Sequence, residues 1–239
     1  MGKVKMKRKS TLIDMTAMSD VTVLLLTFFM LTSTFLQKEP VTVITPSSVS
    51  EEKVPTSNLT SILVSPNGKV FVSLLGDADP EMAEEWGSEA IRAEVLQNAV
   101  AEWNRLHPNK KVSLTQSEID AFKKINMFGV PFAQLKEFLN LPQAKQDEFL
   151  SNMENPAAGI PIDDNRDWQE HPNEFQIWMK AIRNTSNENL ASAVRKGEGV
   201  AVKADQNTPY YVVHDVLDNL QTVKMNRFSI MTALKTSED

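Results

Sequence analysis

The run MSDVTVLLLTFFMLTSTF, residues 18–35, carries one carboxylate, Asp20, near its front edge. In an apolar helix that residue is costly, by about 2.5–3.5 kcal/mol at the centre of a bilayer and less toward the interface. No Lys, Arg or His lies within the run to neutralise it. The carboxyl must therefore meet a partner on another chain or carry a proton. Burial disfavours the charged form of any carboxyl, so such a group can load a proton on one side of a membrane and release it on the other. Steps of four and three along a helix return to one face. From Asp20 they reach Thr27 and Thr34 forward and Thr16 back, so Thr16, Asp20, Thr27 and Thr34 form one polar stripe. Val21, Leu25, Phe28, Phe29 and Leu36 point elsewhere, toward lipid or an apolar partner. Two plainer readings stand beside this one. Threonines in membranes bond carbonyls of their own helix, which would account for Thr27 and Thr34. Aspartate and serine are also favourable helix caps, so Asp20 or Ser19 could simply start an anchor helix.

The element that must position Asp20 is a membrane helix. Residues 16–36 are 21 in number with Asp20 as their only formal charge, and about 20 apolar residues span the hydrocarbon core. Lys3, Lys5, Lys7, Arg8 and Lys9 precede the run. Of 25 basic and 31 acidic residues, these five and only Asp14 and Asp20 come before residue 37, which leaves 20 and 29 and a net charge of −9 beyond it. A basic head before an apolar span holds that end in the cytoplasm and exports the acidic remainder. Nothing after the span concentrates Lys and Arg, so no nucleic-acid partner is expected. The run is longer than a signal-peptide core, and Leu36-Gln37-Lys38 lacks the small residues of a cleavage site, so the anchor stays attached. The expected organisation is a basic cytoplasmic tail (1–12), a transmembrane helix (13–36), a Pro/Ser/Thr/Glu-rich linker (37–58) and an exported domain (59–239).

Within the linker, Val41–Thr45 alternates like a short strand before Pro46, either as an extended tether or as a segment added to a sheet edge. Ser61–Ser65 and Lys69–Leu74 flank Pro66-Asn67-Gly68, a strong hairpin signal. Residues of about 80–170 turn helical. Met82, Trp86, Ile91, Val95, Val100 and Trp103 recur at helical spacing in Glu81–Leu106. Thr115-x-x-Glu118 is a capping-box pattern ahead of Ile119, Phe122 and Ile125. Phe132–Leu139 and Ala144–Met153 are two further helices, parted by Leu141-Pro142. Asp163, Asn165, Asp167 and Glu174 have the spacing of a calcium loop, but Trp168 occupies the position that needs glycine, so a solvated loop is expected. A helix over Asn173–Val194, broken near Asn184, leads to a strand, a helix and a strand at Val200–Lys203, Pro209–Leu220 and Phe228–Leu234. The fold class is a single N-terminal transmembrane helix followed by an α+β domain, a small mixed sheet with helices, carrying a mainly helical insertion.

Enzyme signatures are missing. The chain has no cysteine, hence no disulfide, thiolate metal site or Cys nucleophile. It has no GxSxG, glycine-rich phosphate loop or HExxH, and His107, His171 and His214 lie far apart. No enzymatic activity, cofactor or metal is expected. An anchored enzyme with its site in residues 80–170 is an alternative without a motif behind it.

IDMTAMSDVTVLLLTFFMLTSTF, residues 13–35, resembles the opening of the ExbD/TolR family of proton-motive-force transducers. Members of that family carry a basic tail, an Ile-Asn/Asp-x-Thr-Pro-x-x-Asp-Val stretch and one apolar helix. Ile13, Asp14, Thr16, Asp20 and Val21 match, and Ala17 stands where proline is usual. GVAVKADQNTPYYVVHDVLDNLQ, residues 199–221, resembles the family's strand, Asp turn, Pro-Tyr and helix unit, with Lys224-Met225-Asn226 in place of the usual Ala-Gly-Ile before the last strand. LTSILVSPNGKVFVS, residues 59–73, resembles its first hairpin, whereas residues 80–170 have no counterpart in the resemblance.

The resemblance implies a proton-channel and motor subunit that couples the proton motive force to TonB-dependent transport across the outer membrane. Asp20 would move the proton, supported by Thr16, Thr27 and Thr34. The chain would sit in the inner membrane of a Gram-negative bacterium with a periplasmic C-terminal domain. It would work as a homodimer inside a pentamer of an ExbB-type polytopic protein and pass motion to a TonB-type protein. The alternative is a membrane-anchored periplasmic binding or scaffold protein without proton coupling.

Overall fold

The computed structural model describes residues 15–32, 39–48, 55–231 and 233–234. The chain divides into two units, residues 1–37 and 38–239. Among the described residues the first unit is a single helix, α1 (Met15–Thr32). The second unit runs β1 (Ser47–Ser48), β2 (Leu59–Val64), β3 (Val70–Leu75), α2 (Ala83–Trp86), α3 (Ser88–Leu106) and α4 (Gln116–Lys123). It continues with β4 (Met127–Phe128), α5 (Phe132–Leu139), α6 (Gln143–Ser151), α7 (Glu174–Arg183) and α8 (Glu188–Lys196). It closes with β5 (Val200–Ala204), α9 (Tyr210–Thr222), β6 (Ser229–Met231) and β7 (Ala233–Leu234).

The main sheet has the order β4-β3-β2-β5-β6. Its β2–β3 and β3–β4 pairs are antiparallel, and its β2–β5 and β5–β6 pairs are parallel. This is the mixed sheet with helices that the sequence pattern predicts. The β2–β3 hairpin closes through Pro66-Asn67-Gly68, where the Gly68 N–H donates to the Ser65 carbonyl at 2.9 Å. Gly68 has φ 74°, a left-handed conformation that suits glycine at the third position of such a loop.

Helix ends follow local chemistry. The Thr115–Glu118 capping box forms as its spacing predicts: the Thr115 N–H donates to Glu118 Oε2 at 2.7 Å, and the Glu118 N–H to Thr115 Oγ1 at 3.4 Å. The helix expected over Glu81–Leu106 is instead divided into α2 and α3. Its break is Gly87, where a Cβ would stand 2.3 Å from the Ala83 carbonyl oxygen, and where the backbone meets that of Gly76. The break near Asn184 is also present. Asn187 caps α8 there by accepting the Leu190 N–H, and Thr185 Oγ1 donates to Glu94 of α3 at 2.8 Å.

The helical segment shares the core of the sheet domain. β4 extends the sheet from β3, with Phe128 opposite Val72. Phe122, Phe128 and Phe132 close on Trp178 of α7, with centroid separations of 6.0, 4.6 and 5.1 Å, and all four side chains are fully buried. Each such ring pair adds about 0.5–1.5 kcal/mol beyond its burial. Glu102 ties α3 to α7 through Lys180 and pairs within α3 with Arg105, at 2.8 Å. Arg105 foremost, with Lys180, pulls the Glu102 carboxyl down to about 2. Among the described residues buried Arg92 has no carboxylate partner within hydrogen-bond distance; its guanidinium donates to the carbonyls of Leu74, at 3.2 Å, and Lys123, at 2.9 Å, at the negative end of α4.

Of the linker, residues 37–38 and 49–54 lie outside the described residues. Val41–Thr45 is extended but forms no strand. It is also not a free tether, because it docks on the domain. Val43 is buried, the Ile44 N–H donates to Asp205 Oδ2 at 2.7 Å, and the Gln206 N–H returns to the Ile44 carbonyl at 2.8 Å. Glu39 pairs with Lys203 at 2.7 Å, and further on β1 runs parallel to β7. Asp205 also accepts the Asn207 N–H at 2.8 Å. That bond first, and then the one from Ile44, holds its carboxyl below the ordinary range. A depressed folded-state pKa contributes stability above the usual carboxylate range and loses it as pH falls through the lowered value. Asp205→Asn should therefore speed amide exchange at Ile44 by roughly tenfold or more at neutral pH, as loss of a charge-assisted bond of about 1.5–3 kcal/mol implies. Hydrogen-exchange mass spectrometry checks this. Acidification of the native chain should loosen the same segment only below the ordinary carboxylate range.

Candidate functional site

All the side chains of α1 that the structure describes are exposed, among them Met30 at 74% and Leu31 at 86%. An apolar surface of that kind is covered in use, by lipid or by other helices. At 1.5 Å per residue the 18 residues of α1 measure about 27 Å, against roughly 30 Å for a hydrocarbon core. Among the described residues no helix is long and apolar enough to cross a membrane. The apolar run in the sequence continues to Leu36, beyond the described end of α1.

Asp20 is in the second turn of α1, and the first turn contains no acid. Its position is thus inside the helix rather than at its start, which removes the helix-cap reading. Ser19 is not a cap either, since its Oγ donates to the Met15 carbonyl at 2.8 Å. Among the described residues no cation pairs with Asp20. At about 100° per residue, Thr16, Asp20 and Thr27 fall within roughly 40° of arc, and Asp20 and Thr27 are about 10 Å apart along the axis. The helix thus brings these three to one face; Thr34, the fourth, lies outside the described residues.

Hydroxyl geometry sharpens what that face can offer. Thr27 Oγ1 donates to the Leu24 carbonyl at 2.9 Å, and Thr32 Oγ1 to the Phe28 carbonyl at 2.8 Å. Thr22, on the other side of the helix, donates toward Met18 and Ser19 at 3.0 and 2.8 Å. A threonine whose proton is engaged by its own helix still presents oxygen lone pairs. Thr27 can therefore accept a hydrogen bond from a protonated carboxyl, water or a partner hydroxyl, but has no free proton to donate.

Among the described residues the second unit has no comparable arrangement. In the loop with calcium-like spacing, Asp163 accepts from the Asn173 side chain at 2.6 Å, Asn165 accepts the Asp167 N–H at 2.9 Å, and Glu174 turns away to accept the Phe132 N–H at 2.8 Å. Those four side chains do not converge. Asp167, Glu170 and His171 do cluster, but all three are exposed. His171 Nδ1 lies 2.9 Å from Asp167, an ion pair that raises the imidazole and lowers the carboxyl. His214 lies 3.4 Å from Asp218, one helical turn on. Sequence reasoning missed the part played by Asp205. Its contact, Ile44, is 161 positions away, and no local pattern marks such a pair.

A family profile described as Biopolymer transport protein ExbD/TolR matches residues 6–127, half of the chain. The chain belongs to this family. Its members are single-pass inner-membrane proteins that transduce the proton motive force in the TonB and Tol systems, together with ExbB/TolQ-type and TonB/TolA-type partners. No curated protein and no solved structure matches the chain. The matched range takes in α1, the β2–β3 hairpin and the helices to α4, so part of the segment without a counterpart in the sequence resemblance falls within it.

The stripe makes a measurable distinction. Thr27→Val keeps shape but removes the acceptor, and should lower proton-driven uptake by up to about tenfold, the range of one hydrogen bond. Thr22→Val, about 140° around the helix from Thr27, should leave uptake unchanged at equal membrane levels of the chain.

Proposed function

We propose that this chain is the proton-carrying motor subunit of an inner-membrane complex that couples the proton motive force to TonB-dependent transport across the outer membrane. The observation behind it is Asp20: a carboxylate inside an otherwise apolar, exposed helix, unpaired by any cation among the described residues and in register with the family's motif. Two copies of the helix stand within a pentamer of ExbB-type subunits, which supplies the rest of the proton path. Asp20 takes a proton from the outer side. In its neutral form it leaves its polar contact and moves through apolar surroundings, and it then releases the proton inward. The oxygens of Thr16, Thr27 and Thr34 line the face along which that exchange occurs. Each proton brings about 2.3 kcal/mol per 100 mV of potential, so several are needed to remodel an outer-membrane receptor. The docked linker, through Ile44, Asp205 and the Glu39–Lys203 pair, is the route by which helix motion reaches the exported domain and a TonB-type protein bound to it.

The test is Asp20→Asn, an isostere that cannot titrate. At unchanged membrane level and unchanged co-purification with the polytopic partner, proton-driven uptake should fall to background. Full activity of Asp20→Asn would sink the proposal and favour a membrane-anchored periplasmic scaffold.

A further inference from the structure

A cavity of about 270 Å³ opens where the end of α3, the segment before α7 and the first residue of α7 meet. Its size is just under the roughly 300–1,000 Å³ of pockets for drug-sized ligands, so it admits one long side chain or a molecule of that size. Its apolar walls include Pro161, Pro172 and the indole of Trp103. Trp103 stacks on His107, at 3.9 Å, and on Phe132, at 4.8 Å, which joins the wall to the aromatic packing around Trp178.

The polar atoms left over around this cavity are acceptors. Glu174 takes the Phe132 N–H through Oε2 at 2.8 Å, and Asp163 takes the Asn173 side chain through Oδ1 at 2.6 Å, so each carboxylate keeps a second oxygen. His107 Nδ1 lies 3.2 Å from the Trp103 carbonyl. A carbonyl can only accept, so Nδ1 holds the proton and Nε2 is an acceptor. Asn173 offers no donor, because its amide hydrogens go to Asp163 and Asn219. Among the described residues no Lys or Arg pairs with either carboxylate.

Glu174 adds a second observation. Its bond to Phe132 satisfies the first N–H of α5, for which Pro131 has no side-chain acceptor. A glutamine would make that bond without a charge. A carboxyl stands there instead, half-buried, and burial pushes it above its ordinary range, partly offset by the Phe132 N–H. The charge therefore costs the fold something that the helix start does not require. A metal ion does not fit the arrangement. Among the described residues the ligating atoms that gather within 4.8 Å of one another belong to Asp167, Glu170 and His171, outside this cavity. Acceptors more widely spaced than that suit an organic cation, whose N–H groups reach outward and whose stem lies on apolar walls.

We propose that this cavity binds a primary ammonium or guanidinium group on an alkyl stem, the chemistry of a lysine or arginine side chain. Glu174 is the counter-charge, Asp163 and His107 Nε2 are further acceptors, and Trp103, Pro161 and Pro172 enclose the stem. Such a group comes from a basic residue of a partner polypeptide or from a free amine. Both carboxylates lie beyond the range matched by the family profile. The site belongs to the second unit and does not depend on the role of Asp20.

The test is a titration of the full chain in detergent, followed by ligand-observed NMR. The probes are N-acetyl-lysine methylamide, its arginine counterpart, cadaverine, and N-acetyl-norleucine methylamide, which keeps a similar stem without the charge. The two capped cations should bind more tightly than the norleucine probe by roughly tenfold or more, as a charge-assisted hydrogen bond implies. Glu174→Gln should remove most of that difference. It should melt no lower than the native chain, because the amide still accepts the Phe132 N–H and no charge is buried. Asp163→Asn should weaken binding by a smaller factor, and Glu170→Gln, outside the cavity, should leave it unchanged. Tighter binding of the capped residues than of cadaverine assigns the site to a polypeptide, and the reverse order assigns it to a free amine. Equal binding of the lysine and norleucine probes, or no binding of any cation, overturns the proposal. So does an affinity unmoved by Glu174→Gln, or displacement of the lysine probe by one equivalent of calcium or zinc. If Glu174→Gln fails to fold, Asp163→Asn, whose side chain is exposed, decides by the same comparison.

Discussion

The α+β domain is held together by the closing of three phenylalanines on Trp178. Phe122, Phe128 and Phe132 come from α4, β4 and the start of α5, and Trp178 comes from α7, so four elements meet in one aromatic block. Removing an indole from such a site costs about 3–5 kcal/mol, comparable to much of a domain's net stability. The helical segment therefore cannot be lifted off as an independent module. It supplies an edge strand to the sheet and the three phenylalanines on which α7 rests. Every surface that depends on α7, including the cavity at its Glu174 end, inherits its position from that block.

Two carboxylates illustrate opposite uses of the same chemistry. Asp205 is almost fully buried and saturated by backbone donors, so it stays charged and fastens the linker to the turn after β5. Asp20 is on an exposed apolar helix with neither donor nor cation beside it among the described residues. A carboxylate fixed by N–H groups is a clasp, because protonation would forfeit those bonds. One left without them has no such bonds to forfeit.

Local pattern made much of this legible. The β2–β3 hairpin, the Thr115–Glu118 box, the Phe132–Leu139 helix and the closing strand, helix and strand rest on turn chemistry and on apolar spacing over a few residues, and the structure has each of them, except that the last strand is divided into β6 and β7 in two different sheets. So does the stripe that sets Thr16 and Thr27 beside Asp20, because a helix maps spacing directly onto a face. Where local pattern misled, a contact distant in sequence had intervened. The helix over Glu81–Leu106 is broken because Gly87 must meet Gly76 backbone to backbone. Val41–Thr45 could not be assigned between tether and sheet edge, because its partners, Asp205 and Gln206, lie about 160 residues further on.

By itself, then, the sequence determined the family of the chain, the place of Asp20 inside an apolar helix and most of the elements, since each depends on residues within a turn or two of one another. Tertiary structure alone decided three things. The helical segment is part of the core, the linker is clasped rather than loose, and the Asp163 and Glu174 carboxylates share a cavity with Trp103 and His107. The physical reason is common to all three. Burial, backbone hydrogen bonding to a remote carboxylate and the gathering of like charges depend on which surfaces the fold brings together, and one-dimensional periodicity carries no record of that.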